Sequence, residues 1–241
     1  MIRLFVAQPL AEGLTVATTP EQHRYLAGVM RQGPGDAVLL FNGADGEWRA
    51  ELTTVGKRHS VLTVAEQTRP QAASPDLELV LALIKRTPLE WAVEKATEMG
   101  VRRIRLVTTR RTNADHTNVS RLRVLAVEAA EQCGRLDAPE IVPPAPLDRV
   151  LDAWPADRAL SFCDETLAAA PAPDGQSPAP EGPGAVLIGP EGGFDPAETA
   201  RLRAHPGVTA LSLGPRILRA ETAVVAALAL WQARRGDWPR S

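Results

Sequence analysis

Two short stretches near the C-terminal end of the chain could meet a small ligand with bare backbone. The first is Ile188-Gly189-Pro190-Glu191-Gly192-Gly193, which closes an apolar run beginning at Ala185. The second is Leu213-Gly214-Pro215-Arg216-Ile217-Leu218-Arg219-Ala220-Glu221, which joins another apolar run to a long helical pattern. Glycine lacks a Cβ and tolerates positive φ, so amide and carbonyl groups in such turns can approach a bound molecule closely. Ligands of open α/β sheets sit at the carboxyl ends of the strands, where both stretches fall. On glycine content alone, plain strand-to-helix connections remain the simpler reading. Other chemistry is poorly supplied. Cys133 and Cys163 give neither a disulfide framework nor metal-ligand spacing, and His23, His59, His116 and His205 are scattered. No G-x-G-x-x-G follows the first strand of the larger region, which argues against a Rossmann oxidoreductase.

The elements that position these turns follow from periodicity. Residues 1–70 alternate in short runs: Leu4–Val6, Ala37–Phe41, Trp48–Leu52 and Val61–Val64, with one helix over Pro20–Met30. Turn signals such as Gly33-Pro34-Gly35-Asp36 and Asn42-Gly43 separate them, so the region reads as a small β-barrel. Residues 71–76 form a linker. Over 77–241 strands and helices alternate: strands at Leu77–Ile84, Arg103–Thr108, Ala159–Cys163, Ala185–Ile188 and Thr209–Leu213, helices at Pro88–Met99 and Val119–Cys133, and a last one from Ala220. Asp195-Pro196-Ala197-Glu198 opens a further helix with a capping box. This alternation predicts an α/β domain with a mostly parallel sheet. The Pro/Ala/Gly-rich stretch 168–184 reads as a surface loop.

Composition narrows the class. The chain has 241 residues, 44% hydrophobic and 23% charged, with a net charge of −2. No global basic field advertises nucleic acid, yet Lys85–Arg135 carries eleven Lys/Arg against six Asp/Glu. The apolar helix from Ala220 is too short to span a membrane and no signal pattern opens the chain, which points to the cytoplasm. Cys133 and Trp91 read as core residues, and His23 as packing or capping within its helix.

The sequence from Lys85 onward resembles the RsmE-type 16S ribosomal RNA (uracil-N3)-methyltransferases, of the SPOUT class of knotted methyltransferases. Lys85-Arg86-Thr87-Pro88-Leu89-Glu90 through Glu94-Lys95-Ala96-Thr97-Glu98-Met99-Gly100-Val101 is similar to one motif of that family, and Glu131-Gln132-Cys133-Gly134-Arg135 to another. The two glycine stretches match its cofactor loops. Arg3, His23, Val29-Met30-Arg31 and Leu40-Phe41-Asn42-Gly43 resemble its PUA-like RNA-binding domain, so the likeness covers nearly the whole chain. Met99 stands where leucine is usual.

The resemblance implies a C-terminal knot, S-adenosyl-L-methionine as methyl donor, a homodimer with its interface beside the cofactor pocket, and 16S rRNA of the small ribosomal subunit as substrate, with neither metal nor membrane. Ile188, Gly189, Pro190, Glu191, Gly192, Leu213, Gly214, Ile217 and Leu218 are then the cofactor residues, and a side chain at Gly192 would stand where the donor approaches. Arg219 and Glu221 become candidates for charge stabilisation and proton removal at uracil N3, with Arg216 in reserve. A structural ion pair between Arg219 and Glu221 is the plainer alternative. Arg3, Arg24, Arg31, Arg110, Arg111 and Arg135 are candidate phosphate contacts. Methylation of another RNA position, or a catalytically silent assembly factor, are the competing functions.

Overall fold

A computed structural model describes residues 1–113, 117–167 and 182–238. His116 and residues 168–181 of the Pro/Ala/Gly-rich stretch lie outside them. The chain divides into two compact units, Met1–Ala73 with Ala130–Ala138, and Ser74–Ala129 with Pro139–Ser241.

The first unit is a five-stranded mixed sheet in the order β1-β3-β4-β5-β2. Its strands are β1 (Arg3–Phe5), β2 (Thr15–Ala17), β3 (Ala37–Phe41), β4 (Glu47–Val55) and β5 (Ser60–Arg69). β1 pairs parallel to β3 and the other pairs are antiparallel. Alternating residues of these strands (Leu4, Val38, Leu40, Ala50, Leu52, Leu62, Val64) turn inward to one core. Burying each such leucine contributes about 2 kcal/mol. The predicted helix begins as foreseen: Thr19 caps α1 (Pro20–His23) through a capping box with Gln22. It then continues as a π-helical turn, Arg24–Val29, with Met30 N–H donating to Tyr25 O. His23 Nδ1 lies 2.9 Å from Ser60 Oγ, a packing role.

Arg3 and Arg135 are corrections to the expected phosphate contacts. The Arg3 guanidinium donates to Glu47 at 2.7 Å, to the carbonyls of Ala130 and Glu131, and to Arg135 O at 2.6 Å. A cation on carbonyls that a helix end leaves unpaired is favourable, and it leaves this side chain, 11% exposed, turned inward. Arg135 pairs with Asp137 at 3.0 Å and is 9% exposed. Cys133, expected in the core, is exposed.

Glu47 is the hub of this unit. Burial opposes its ionisation, but hydrogen bonds from Arg69, Arg3 and Thr68 outweigh that and bring its pKa down to about 2. A pKa depressed on folding gives stability that is present above the unfolded value and lost as pH falls through the folded one. Thermal unfolding midpoints should therefore fall between about pH 4.5 and pH 2. Glu47→Gln should cost about 2 kcal/mol at pH 7 and flatten that fall. An unchanged acid limb in the variant would remove Glu47 from the explanation.

The second unit carries a six-stranded, wholly parallel sheet, ordered β11-β9-β10-β6-β7-β8. Its strands are β6 (Leu77–Ala82), β7 (Arg103–Thr108), β8 (Glu140–Pro146), β9 (Ala159–Cys163), β10 (Gly184–Ile188) and β11 (Val208–Leu211). β6 and β10 are buried at every position, as central parallel strands covered on both faces must be. The exception to their apolar character is Glu78, 2% exposed, which takes Arg105 Nε at 2.5 Å and lies within 3.5 Å of Arg103. One face is covered by α2 (Arg86–Glu98), α3 (Val119–Cys133) and α6 (Ala220–Arg235). α4 (Leu147–Asp152) and α5 (Pro196–Ala204) pack on the other. Gly100, at φ +80°, stops α2 as its sequence position implies. Gln232 of α6 then donates to Met99 O at 2.6 Å.

Candidate active site

β9 lies between β10 and β11 in the sheet, so the segments leaving these three strands emerge side by side. Residues following β6 join them. Together they line one cavity of about 1180 Å³. Ile188, Gly189, Pro190, Glu191 and Gly192 of the first turn, and Leu213, Gly214, Ile217 and Leu218 of the second, all face it. Arg216, Arg219 and Glu221 face it too. Sequence reasoning missed Lys85, Thr87 and Trp91 beyond β6, Cys163 at the end of β9, and Asp164 and Glu165 after it.

The glycines of the two turns are glycine for different reasons. A Cβ on Gly189 would press on the Phe194 ring at 3.0 Å. One on Gly192 would meet Arg111 Cβ at 3.5 Å, an ordinary van der Waals contact, while the residue lines the cavity. Gly214, at φ +94°, has no other group within 4 Å of its missing Cβ, and it lines the cavity. Gly214 is therefore free of packing against other residues, so its lack of a side chain answers to the turn's positive φ and to the cavity it lines.

Neighbours hold the first turn. Gly193 N–H donates to Pro190 O at 2.9 Å. Glu191 Oε1 accepts from Lys85 N–H at 3.2 Å, capping the start of α2. Arg111 donates to Gly192 O at 2.9 Å. Arg110 N–H donates to Glu198, and its guanidinium pairs with Asp195 at 3.2 Å. Asp195 and Glu198 form the predicted capping box of α5. Both arginines thus brace the turn while remaining exposed.

Asp164 is 2% exposed at its side chain and anchors the far wall. Burial raises its pKa, but hydrogen bonds from Thr166 and Arg203 overcome that and hold it below the usual carboxylate range. Burial pushes the adjacent Cys163 thiol up to about 12, so it stays protonated and no thiolate nucleophile forms there. Arg219 is the N-cap residue of α6, with Glu221 in its first turn. Among the described residues no ion pair links them, and the side chains of Arg216, Arg219 and Glu221 make no hydrogen bond to protein. Their charges are available to a ligand. Trp91, expected in the core, is 41% exposed on the cavity wall, and Ile217 is 83% exposed. Arg24, in the first unit, is 72% exposed and lies 3.7 Å from Glu21; Arg31 is exposed at φ +55°.

A parallel sheet whose adjoining strand ends open into one glycine-rimmed cavity, in a chain that also carries a small mixed-sheet unit, marks an α/β protein that binds a ligand at its strand ends. Known families agree. An RNA methyltransferase domain family matches residues 72–232, and an RNA methyltransferase PUA domain family matches 18–65. Ribosomal RNA small subunit methyltransferase E of Rickettsia conorii is 30% identical over 94% of this chain and 93% of its own. The protein of that name from Bacillus subtilis is also 30% identical, over 92% and 91%. The crystal structure of the Neisseria gonorrhoeae protein of that name, bound to S-adenosyl methionine, superposes with a TM-score of 0.90 at 27% identity, over 99% of this chain and all of that one. The chain belongs to the ribosomal RNA small subunit methyltransferase E family, and its fold is that of the SPOUT methyltransferases with an N-terminal PUA-like domain.

Proposed function

We infer that this protein transfers a methyl group from S-adenosyl-L-methionine to N3 of a uracil in 16S ribosomal RNA. One observation carries the reading: both glycine turns and the three charged residues beside them line a single cavity. The residues present fit the donor. Gly214 lines the cavity with open space at its missing Cβ, Ile188, Leu213 and Leu218 give apolar walls, and the volume exceeds what a nucleoside needs, leaving room for a base.

When bound, S-adenosylmethionine supplies a methyl group already activated on a sulfonium. The protein's share is positioning and electrostatics. Backbone groups of the two turns hold the nucleoside. Uracil N3 carries a proton between two carbonyls, so it must lose that proton to become a nucleophile. Glu221 accepts it, directly or through water. Arg219 stabilises the charge that spreads onto O2 and O4, and Arg216 on the same loop is the reserve cation. N3 lies on the pairing edge of the base, so the target uridine must be unpaired or flipped out.

Arg24 and Arg31 in the PUA-like domain, and Arg110 and Arg111 in the catalytic domain, contact RNA phosphates. We assign residues 1–70 to RNA binding, 71–76 to a linker and 77–241 to catalysis. The enzyme works as a homodimer on the small ribosomal subunit in the cytoplasm, its exposed Trp91 and Ile217 covered by the second copy. Mass mapping of 16S rRNA from a strain lacking the gene tests the reaction. One uridine should lose its base methyl and regain it on complementation. Loss at another base would mean a different target position, and no loss would leave an RNA-binding assembly factor.

A further inference from the structure

Glu165 follows β9 by two residues and lines the cavity between the segments that leave β10 and β11. The short 3₁₀ turn that carries it, Glu165–Leu167, is fixed from behind. Asp164 accepts from Thr166 N–H at 3.0 Å and from Thr166 Oγ1 at 2.7 Å. Arg203 donates to both Asp164 and Thr166, at 2.5 and 2.8 Å. The clamp leaves Glu165 pointing the other way. Its Oε1 occupies the space that a Cβ on Gly193 would fill, and Gly193 sits at φ +67°. The last glycine of the first turn is thus small because a carboxylate lies over it. Among the described residues that carboxylate has no hydrogen bond or ion pair.

The other acids of the cavity are committed or assigned: Asp164 to Arg203, Glu191 to Lys85 N–H, and Glu221 to the reacting base. An ionised carboxylate only accepts hydrogen bonds, and its two oxygens suit a pair of adjacent hydroxyls. A carboxylate against the sulfonium would stabilise the cation that the reaction discharges, which slows transfer. The donor molecule offers the adenine amino group, the α-ammonium and the two sugar hydroxyls; of these only the hydroxyls are an adjacent pair that matches both oxygens of one carboxylate. We propose that Glu165 binds the ribose 2′- and 3′-hydroxyls of the methyl donor, an assignment that rests on the cofactor reading above.

Calorimetric titration with two probes tests this. S-adenosylhomocysteine carries the ribose and the amino-acid tail, whereas 5′-methylthioadenosine carries only the ribose end. Glu165→Gln and Glu165→Ala should weaken both probes by the same factor, about tenfold or more, with the unfolding midpoint unchanged. S-adenosylhomocysteine lacking both sugar hydroxyls should bind the wild type and the variants alike. A loss confined to intact S-adenosylhomocysteine would place the carboxylate at the amino-acid end and overturn the proposal. Unchanged affinity for both probes would also overturn it while leaving the cofactor reading standing. Failure of the wild-type protein to bind either probe would instead remove the cofactor reading itself.

Discussion

Arg219→Ala should lower kcat about 10²–10³-fold while affinity for S-adenosylhomocysteine stays within about twofold. The size of the effect follows from where the charge appears. Uracil is neutral when it binds and anionic at N3, O2 and O4 as its proton leaves. A guanidinium aimed at that anion stabilises the transition state and does little for the bound ground state. Arg219 meets the structural condition, since it caps the start of α6 on the cavity wall with its charge unspent on protein partners. Single-turnover methylation of an RNA fragment, beside calorimetry, separates the two quantities. Equal losses in rate and affinity would give Arg219 a binding role instead.

Gly214→Val should weaken S-adenosylhomocysteine binding at least about 100-fold. A Cβ there meets no residue beyond its chain neighbours within 4 Å, and Gly214 lines the cavity, so the branched side chain would take up room beside the donor. A residue other than glycine at φ +94° also costs about 1–3 kcal/mol of stability, so the unfolding midpoint should drop by several degrees. Gly214→Ala separates strain from occlusion. It carries much of the backbone strain with a smaller obstruction, so its affinity loss should be several-fold smaller than that of valine. Matching losses in the two variants would attribute the effect to the backbone.

Much of this architecture was legible because it is local. The strands Arg103–Thr108 and Ala159–Cys163, the helix Val119–Cys133 and the capping box at Asp195 stand where periodicity and capping residues put them. β8 was not foreseen: Pro143, Pro144 and Pro146 speak against a strand, yet it is an edge strand of the sheet, where a missing N–H is tolerated. Trp91 was misread although its spacing held the answer. Leu89, Ala92, Val93 and Ala96 form the buried stripe of α2, and Trp91 lies off it.

The site was legible in outline for a different reason: glycine turns at strand ends are short motifs, and the family resemblance joined two of them. What stayed hidden was non-local. Nothing near Arg3 in sequence shows that its guanidinium caps carbonyls more than a hundred residues on. An arginine looks the same in sequence whether it faces a phosphate or a helix end. Gly193 needed Glu165 to explain it, and that partner sits on the turn after another strand. An acid two residues past a predicted strand, at the same carboxyl end of the sheet as both turns, was the available signal.

The account stands on one cavity enclosed by two turns, and a crystal of this protein soaked with S-adenosylhomocysteine tests it most directly. Density for the nucleoside should appear between Gly189–Gly193 and Leu213–Leu218, in contact with the backbone of Gly214. Nucleoside density anywhere else, with that cavity filled only by water, would contradict it.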